Sequence, residues 1–341
     1  MADELKNNSD KEQIKIEADS KLVEKHPIAE AITNFIHRAR DVRWSYRVFK
    51  PIALQSMKDR YEKALEQMKS CELLLASDSE VEKLHGIKEM QKAMRKIERL
   101  NHSEIPEIIG TSLFLSLFSA FDVYSGELLT AIYNRKPALF GKLNRKIELV
   151  DVLTAESIDD LKKAVLDEVI ESFRRKSYIE QFAELESTFG LPLKLFERWP
   201  DFVECTQRRN LLTHCGGVVS EQYLKICKHE KYPEEKLPLL GAKLELDPKY
   251  FLFSCELLIE VGLKLGQTLW RKIIPDEIDK ADDHLQHTLF DALSSHNWNR
   301  GKMFGEFAVT QSVLSPLSNP KWVMLHSEQP IRHDCTFILL V

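Results

Sequence analysis

The sequence predicts an all-α fold, and three observations lead to it. Gly (12) and Pro (13) together make up only about 7% of the 341 residues, against ~12% in average usage, too few for the tight turns of an all-β sandwich. Apolar residues recur at spacings of three and four through most of the chain. The Gly, Pro and Ser clusters that do occur fall between those periodic runs, where helices would stop. With 43% apolar and 30% charged residues, the composition is that of an ordinary globular protein of two or three structural units. A net charge of −5 argues against a protein that coats nucleic acid generally, and permits a local basic groove.

Taken in order, the opening MADELKNNSD has no basic segment leading into an apolar core, so a short disordered tail (1–10) is expected rather than a secretory signal. Residues 10–50 carry a helical pattern, with Ile28, Ala31, Ile32 and Phe35 on one face. From Leu54 to Leu100 the sequence turns rich in Lys, Glu, Met and Leu and breaks at Ser77-Asp78-Ser79, where a serine can cap a second helix; this reads as a helical hairpin. Pro106 opens the most apolar helix, in which Ile109, Leu113, Leu117, Ala120 and Tyr124 form one face and Phe114, Phe118 and Phe121 another, as in a central helix. Asp122 and Glu127 interrupt it, so no membrane span is expected.

Further helices are predicted over Ser157–Phe173, Ile179–Phe189 and Leu195–Leu212, with Gly190 and Gly216-Gly217 as stops. A short helix and an exposed loop should fill 219–247. Asp247 and Pro248 form a cap for a long helix from Lys249 to Lys272. Residues 283–313 read as a helix pair around a loop at 294–297, and the end is irregular, closing on a strand-like run from Thr336 to Val341. The expected organisation is an N-terminal helical arm (11–104), a central bundle (105–274) and a C-terminal appendage (275–341). Six cysteines without C-x-x-C spacing suit a reducing, cytoplasmic setting, and no metal site or cofactor motif is written.

The string that carries chemistry runs from Gln207 to Leu224, QRRNLLTHCGGVVSEQYL. Arg209 and His214 are five apart, about 7.5 Å of helical rise and about 140° of rotation, within reach of one phosphate for a long arginine. Asn210 is four residues before His214 on the same face, where an amide could fix the imidazole by a hydrogen bond. The two glycines would end the helix and let a ligand backbone approach. On spacing alone, Arg208 and Arg209 read as solvated or ion-paired residues and His214 as a polar helix end.

The wider string resembles the signature of the HEPN ribonuclease family: an Arg, a polar residue, three to five residues and a His. Arg209, Asn210 and His214 match it, and Gly216-Gly217-Val218-Val219 with Tyr223-Leu224 resemble a stress- and phage-defence branch. The resemblance spans about residues 105–274 and implies a HEPN-like helical bundle. It also implies metal-independent cleavage of RNA. His214 would then be the general acid or base, Arg209 the phosphate clamp, and Asn210 would orient His214 or touch the phosphate. Such cleavage needs both a base and an acid while one copy of the motif supplies one His, so a homodimer with the site at its two-fold axis is expected, as the family it resembles also implies; an antitoxin or regulatory protein is a further possible partner. The competing class is a catalytically silent dimerisation scaffold or sensor subunit.

Cys215 beside His214 points about 100° away on a helix and reads as a buried structural thiol. His284 and His287, three apart, lack the further ligands a metal would need and read as a solvated helix start. Asp122 and Glu127 could reach a site between helices, or serve to pair an arginine. A stripe of Arg40, Arg43, Arg47 and Lys50, beside Ala39, Val42, Tyr46 and Phe49, combines cations and aromatics as single-stranded RNA requires, and Arg208 could add to it. An ordinary solvated helix face has the same pattern.

Overall fold

In a computed structural model the described residues are 26–143, 147–311, 322–325 and 336–339. The expected tail at 1–10 and the helical pattern before residue 26 lie outside them. The described chain is all-α: α1 Pro27–Leu75, α2 Glu80–Asn101, α3 Ile105–Arg135, α4 Leu149–Thr154, α5 Ile158–Arg174, α6 Tyr178–Phe189, α7 Trp199–His214, α8 Glu221–His229, α9 Pro248–Ile273, α10 Ile278–Ser294 and α11 Trp298–Thr310. A short antiparallel pair near the C-terminus joins β1, Trp322–Leu325, to β2, Thr336–Leu339, with Trp322 opposite Leu339.

The chain forms two compact units, each assembled from separated segments. Of the described residues, one takes 35–125 and 150–265; the other takes 26–34, 126–143, 147–149 and those from 266 onward. The divisions expected at 104/105 and 274/275 therefore do not coincide with unit edges.

In the unit of 35–125 and 150–265, the core is aromatic. Phe118, Phe121, Tyr178, Phe182 and Phe202 are buried, with ring centroids 5.5–6.0 Å apart for Phe121–Phe202, Phe182–Phe202 and Tyr178–Phe202. Gly262 on α9 makes room for Phe35: a Cβ there would sit 2.4 Å from the Phe35 ring, and the Gly262 carbonyl accepts from Tyr124 Oη at 2.6 Å. The run Glu80–Arg135 contains a window long and apolar enough to cross a membrane, 39% of it buried. Its large side chains Phe114, Leu117, Phe118, Phe121 and Tyr124 are each at most 1% exposed, as in the central helix of a bundle.

The hairpin of α1 and α2 turns at 76–79 as the sequence predicts, although no side chain caps α2 at Ser79. Helix α1 continues through Pro51. A proline inside a helix removes one hydrogen bond but keeps a helical φ, so the pattern on either side can carry the helix across it. The hairpin seam is built of small residues, with Ala64, Cys71, Gly86 and Ala93 buried.

The other unit packs Ile28, Ile32, Ile132, Leu269, Trp270, Leu285, Leu289 and Phe304, all buried. Its α10 and α11 form the predicted pair. Asn297 caps α11 by accepting from the Arg300 amide at 3.3 Å.

Candidate active site

Helix α7 carries the motif, and its start explains its orientation. The helix begins at Trp199, not at Leu195 as the periodicity suggests, because Pro200 is tolerated only in a first turn. Arg198, just before it, donates to Glu260 at 2.7 Å and lies 4.8 Å from the Phe253 ring, tying the entry of α7 to α9.

The inner face is locked by one carboxylate. Glu204, 1% exposed, accepts from Arg208 Nε at 2.9 Å, from Tyr223 Oη at 2.7 Å and from Tyr250 Oη at 2.5 Å. The Arg208 guanidinium also stacks on Tyr250 at 3.7 Å. Burial, then the field of Glu204, pushes the Tyr223 hydroxyl well above the usual phenol range. A buried charge with three charge-assisted partners is satisfied, so Arg208 is a structural ion-pair residue here rather than an RNA contact.

Arg209 faces a different environment. It is half-buried; its Nη1 donates to Asn210 Oδ1 at 3.1 Å, and its Nε is buried without a partner. Its charge acts on Asp122 and Tyr178, whose side chains meet as Tyr178 Oη donates to Asp122 Oδ1 at 2.7 Å. Burial raises the Asp122 carboxyl above its ordinary value, against the opposing pull of the Tyr178 hydrogen bond and of Arg209 and Arg174. Tyr178 is the group that sequence reasoning missed. Its only trace was its place after Ser177, which forms a capping box with Glu180.

His214 is the last residue of α7 and is exposed; among the described residues its ring makes no hydrogen bond. The expected bond from Asn210 to His214 is absent; the Asn210 side-chain oxygen accepts from Arg209 instead. Cys215, expected to be buried, is exposed: it caps the helix and follows the last turn outward.

The glycines do end the helix, with φ of 57° at Gly216 and 81° at Gly217, and the Gly217 amide donates to Leu211 O at 3.0 Å. The backbone that approaches Gly217 is the protein's own. A Cβ there would lie 3.0 Å from Leu244 O, and the Leu244 amide donates to Gly217 O at 2.9 Å. Gly216 has open space where a Cβ would be.

Beside Gly216 opens a cleft of about 500 Å³, walled by the start of α3, by the segment 243–248 and by Lys50 of α1. Leu212 and Gly216 line it; Arg209 and His214 do not. The basic stripe is divided in its engagements. Lys50 donates to Tyr46 Oη at 3.0 Å and to Leu246 O at 3.3 Å, and Arg43 pairs with Glu256 at 3.4 Å, while Arg47 is exposed and Arg40 half-exposed. Phe49, placed by its spacing on the apolar row, is 55% exposed.

No group of three or more His, Cys, Asp or Glu among the described residues could hold a metal. Of the histidines considered for one, His287 bonds to Asp283 O at 2.9 Å; His284 turns inward, correcting the solvated reading, to meet Thr33 Oγ1 at 3.1 Å and Gln267 Nε2 at 3.0 Å. The chain matches no protein-family model, no curated protein and no solved structure.

Proposed function

We propose that this protein is an endoribonuclease of the HEPN type, acting on RNA in the cytoplasm in antiviral or stress defence. The observation that carries the reading is the division of labour on α7. Arg208 is consumed by the buried Glu204 cluster, whereas Arg209 keeps an unpartnered Nε and His214 stands exposed at the helix end.

In the reaction a base removes the proton of a ribose 2′-OH, whose oxygen attacks the adjacent phosphorus. The P–O bond to the next nucleotide's 5′-oxygen breaks, and an acid protonates that oxygen. The products are a 2′,3′-cyclic phosphate and a 5′-hydroxyl. His214 transfers a proton, since an imidazole can accept one at one ring nitrogen and donate one from the other, and Arg209 stabilises the charge that builds on phosphorus. Asn210 holds the Arg209 guanidinium at the helix surface.

One chain supplies one such histidine, so we place the active form as a homodimer in which two copies of the motif share one groove. Purified protein incubated with RNA should yield 2′,3′-cyclic phosphate ends, and His214→Ala should abolish them, since acid or base assistance is typically worth ~10²- to 10⁴-fold. Undiminished cleavage by His214→Ala, or 3′-hydroxyl products, would overturn the reading. Activity per chain should fall on dilution through the dimer dissociation constant; full activity from a sedimenting monomer would overturn the shared groove.

A second reading is favoured by the α1–α2 hairpin, where Leu73, Val81, Leu84 and Met94 are each more than half exposed. A scaffold or sensor subunit would use such a surface for a regulatory partner and cleave nothing.

A further inference from the structure

We infer that one face of the α1–α2 hairpin is a docking surface for the phosphate backbone of double-stranded RNA, so that the substrate carries a base-paired stem. The inference rests on the ribonuclease reading and adds the form of the RNA. Helix α2 carries Lys88, Lys92, Arg95 and Arg99 at spacings of four, three and four, a single row about 16 Å long. All four are exposed. The acids of α2, Glu80, Glu82, Glu89 and Glu98, each lie at least ~60° around the helix from that row.

The row continues across the hairpin seam. Gln67 Nε2 donates to Glu89 Oε2 at 3.1 Å, so these two residues mark one side of the seam. Arg60 and Lys63, seven and four residues before Gln67, are exposed on that side of α1, as Lys92, three after Glu89, is on α2. Among the described residues Arg60, Lys63, Lys88, Arg95 and Arg99 have no hydrogen-bond or ion-pair partner, and Lys92 pairs with Glu89. Asp59, beside Lys63, accepts from Gln55 Nε2 at 2.7 Å. In a chain of net charge −5, the hairpin thus gathers its unengaged cations on one face.

Unpaired cations at regular intervals complement a regular polyanion. Readers of single strands add aromatic side chains on which bases stack, and α2 contains no Phe, Tyr or Trp. A helix lying on an anionic bilayer buries an apolar stripe beside its cations, but the neighbouring row of α2, Ile87, Gln91, Met94 and Glu98, is broken by an amide and an acid. The backbone of a duplex needs neither stacking nor apolar burial, only cations placed along it. The base of the hairpin relates this face to the chemistry. Arg99 is five residues, at most ~18 Å, from Glu104, which walls the cleft that Gly216 lines. A stem along α2 therefore ends near the C-terminus of α7, and its unpaired flank is the part free to bring a 2′-OH in line with phosphorus.

The test uses the full chain as His214→Ala, which keeps RNA intact, and an RNA duplex of about 16 base pairs. With the value for duplex DNA, each phosphate contact adds roughly 0.9 to the slope of log affinity against log salt concentration, so Lys88→Gln with Arg95→Gln should lower the slope by about 1.8. Lys88→Arg with Arg95→Lys keeps both charges and should leave it at the parent value. Lys58→Gln with Lys69→Gln removes two charges about 180° around α1 from Gln67 and should leave it there too. An unchanged slope in the first variant, or an equal fall in the third, overturns the surface. So does a failure to bind the duplex at about 50 mM salt, or binding to phosphatidylserine vesicles that the first variant weakens while duplex affinity holds. Cleavage separates this inference from the reading it rests on. On an RNA with a stem and an unpaired flank, Lys88→Gln with Arg95→Gln in the otherwise parent chain should raise KM several-fold and spare kcat. An unchanged KM overturns the surface and leaves the nuclease. Duplex binding that depends on this face, without cleavage of any RNA, overturns the nuclease and leaves the surface.

Discussion

Helix α7 carries two arginines one residue apart, and the protein treats them in opposite ways. Arg208 turns inward onto Glu204 and the Tyr250 ring; Arg209, about 100° around the helix, has an amide oxygen, a buried nitrogen without a partner and the more distant field of Asp122. The first arrangement has every polar group answered. The second leaves a cation only partly answered beside an exposed imidazole. Position in the motif is thus divided between holding the helix and presenting chemistry, and the two jobs can be separated by mutation.

The largest expected effect comes from breaking the inner pair. Arg208→Ala leaves Glu204 buried with two hydroxyl donors and no counter-charge, a change that typically costs ~3–5 kcal/mol. Denaturant unfolding should show that loss as a lower midpoint. A loss under ~1 kcal/mol would mean that the tyrosines alone satisfy Glu204, and the division between the two arginines would be weaker than drawn.

Arg209→Ala should do the reverse. Cleavage should fall by about 10²- to 10³-fold, the usual cost of deleting one donor to a developing charge, while the unfolding midpoint stays near the parent's. Cys215→Ser should retain most activity, because the thiol lies beyond the helix end and outside the proposed chemistry. Equal destabilisation by both arginine variants would erase the contrast.

How far this was legible in the sequence differs by feature. Helix identity was readable through most of the chain, because the apolar spacing agrees with the helix starts near Ser79 and Asp247 and the stop at Gly190; the short α4, Leu149–Thr154, has too few turns to show a period. The start of α7 was not, since periodicity runs on into Phe196 and only the place of Pro200 limits it. Glu204 and Arg208 are four apart, so their pair was readable; the tyrosines that complete it are 19 and 46 residues away from Glu204 and depend on tertiary packing. The same holds for Tyr178 against Asp122, which are 56 residues apart. The cleft is formed by a loop, a helix start and a glycine with positive φ, none of which carries a period to read.

A histidine far from the motif tests whether acid sensitivity belongs to the site or to the scaffold. Gln267 donates its Nε2–H to His284 Nδ1, with its orientation fixed because its Oε1 accepts from Arg271, so His284 is neutral with its proton on Nε2 toward Thr33. Burial, then the charges of His287, His26 and Arg271, lower its pKa from 6.5 to about 4. The folded state therefore binds fewer protons than the unfolded one between those values. Stability is full above pH 6.5 and is lost as pH falls toward 4, by on the order of 3 kcal/mol. His284→Asn should flatten that acid limb, read as the unfolding midpoint against pH. An unchanged limb would assign it to other groups, with His26, lowered to about 4 by burial and by Arg135 and Lys280, as the first alternative.

The smallest effect concerns RNA affinity and sharpens the contrast between engaged and unengaged cations. Four residues form the basic stripe on α1, but two of them are occupied: Arg43 by Glu256 and Lys50 by Tyr46 and Leu246. An occupied cation that shifts to a phosphate must give up its present partner, so it releases fewer counterions from RNA for the same gain. Arg47 is exposed and Arg40 half-exposed, and these two should carry the electrostatic contact. For single-stranded RNA each phosphate contact contributes roughly 0.7 to the slope of log affinity against log salt concentration. Arg40→Glu with Arg47→Glu should therefore flatten the slope by at least about 1.4 while leaving turnover at saturating RNA within a few-fold of the parent. Arg43→Glu with Lys50→Glu should change it less. If the second pair flattens the slope as much as the first, partner occupancy does not decide which cations RNA meets. If neither pair changes it, the stripe is an ordinary solvated face, and RNA must be held from elsewhere around α7.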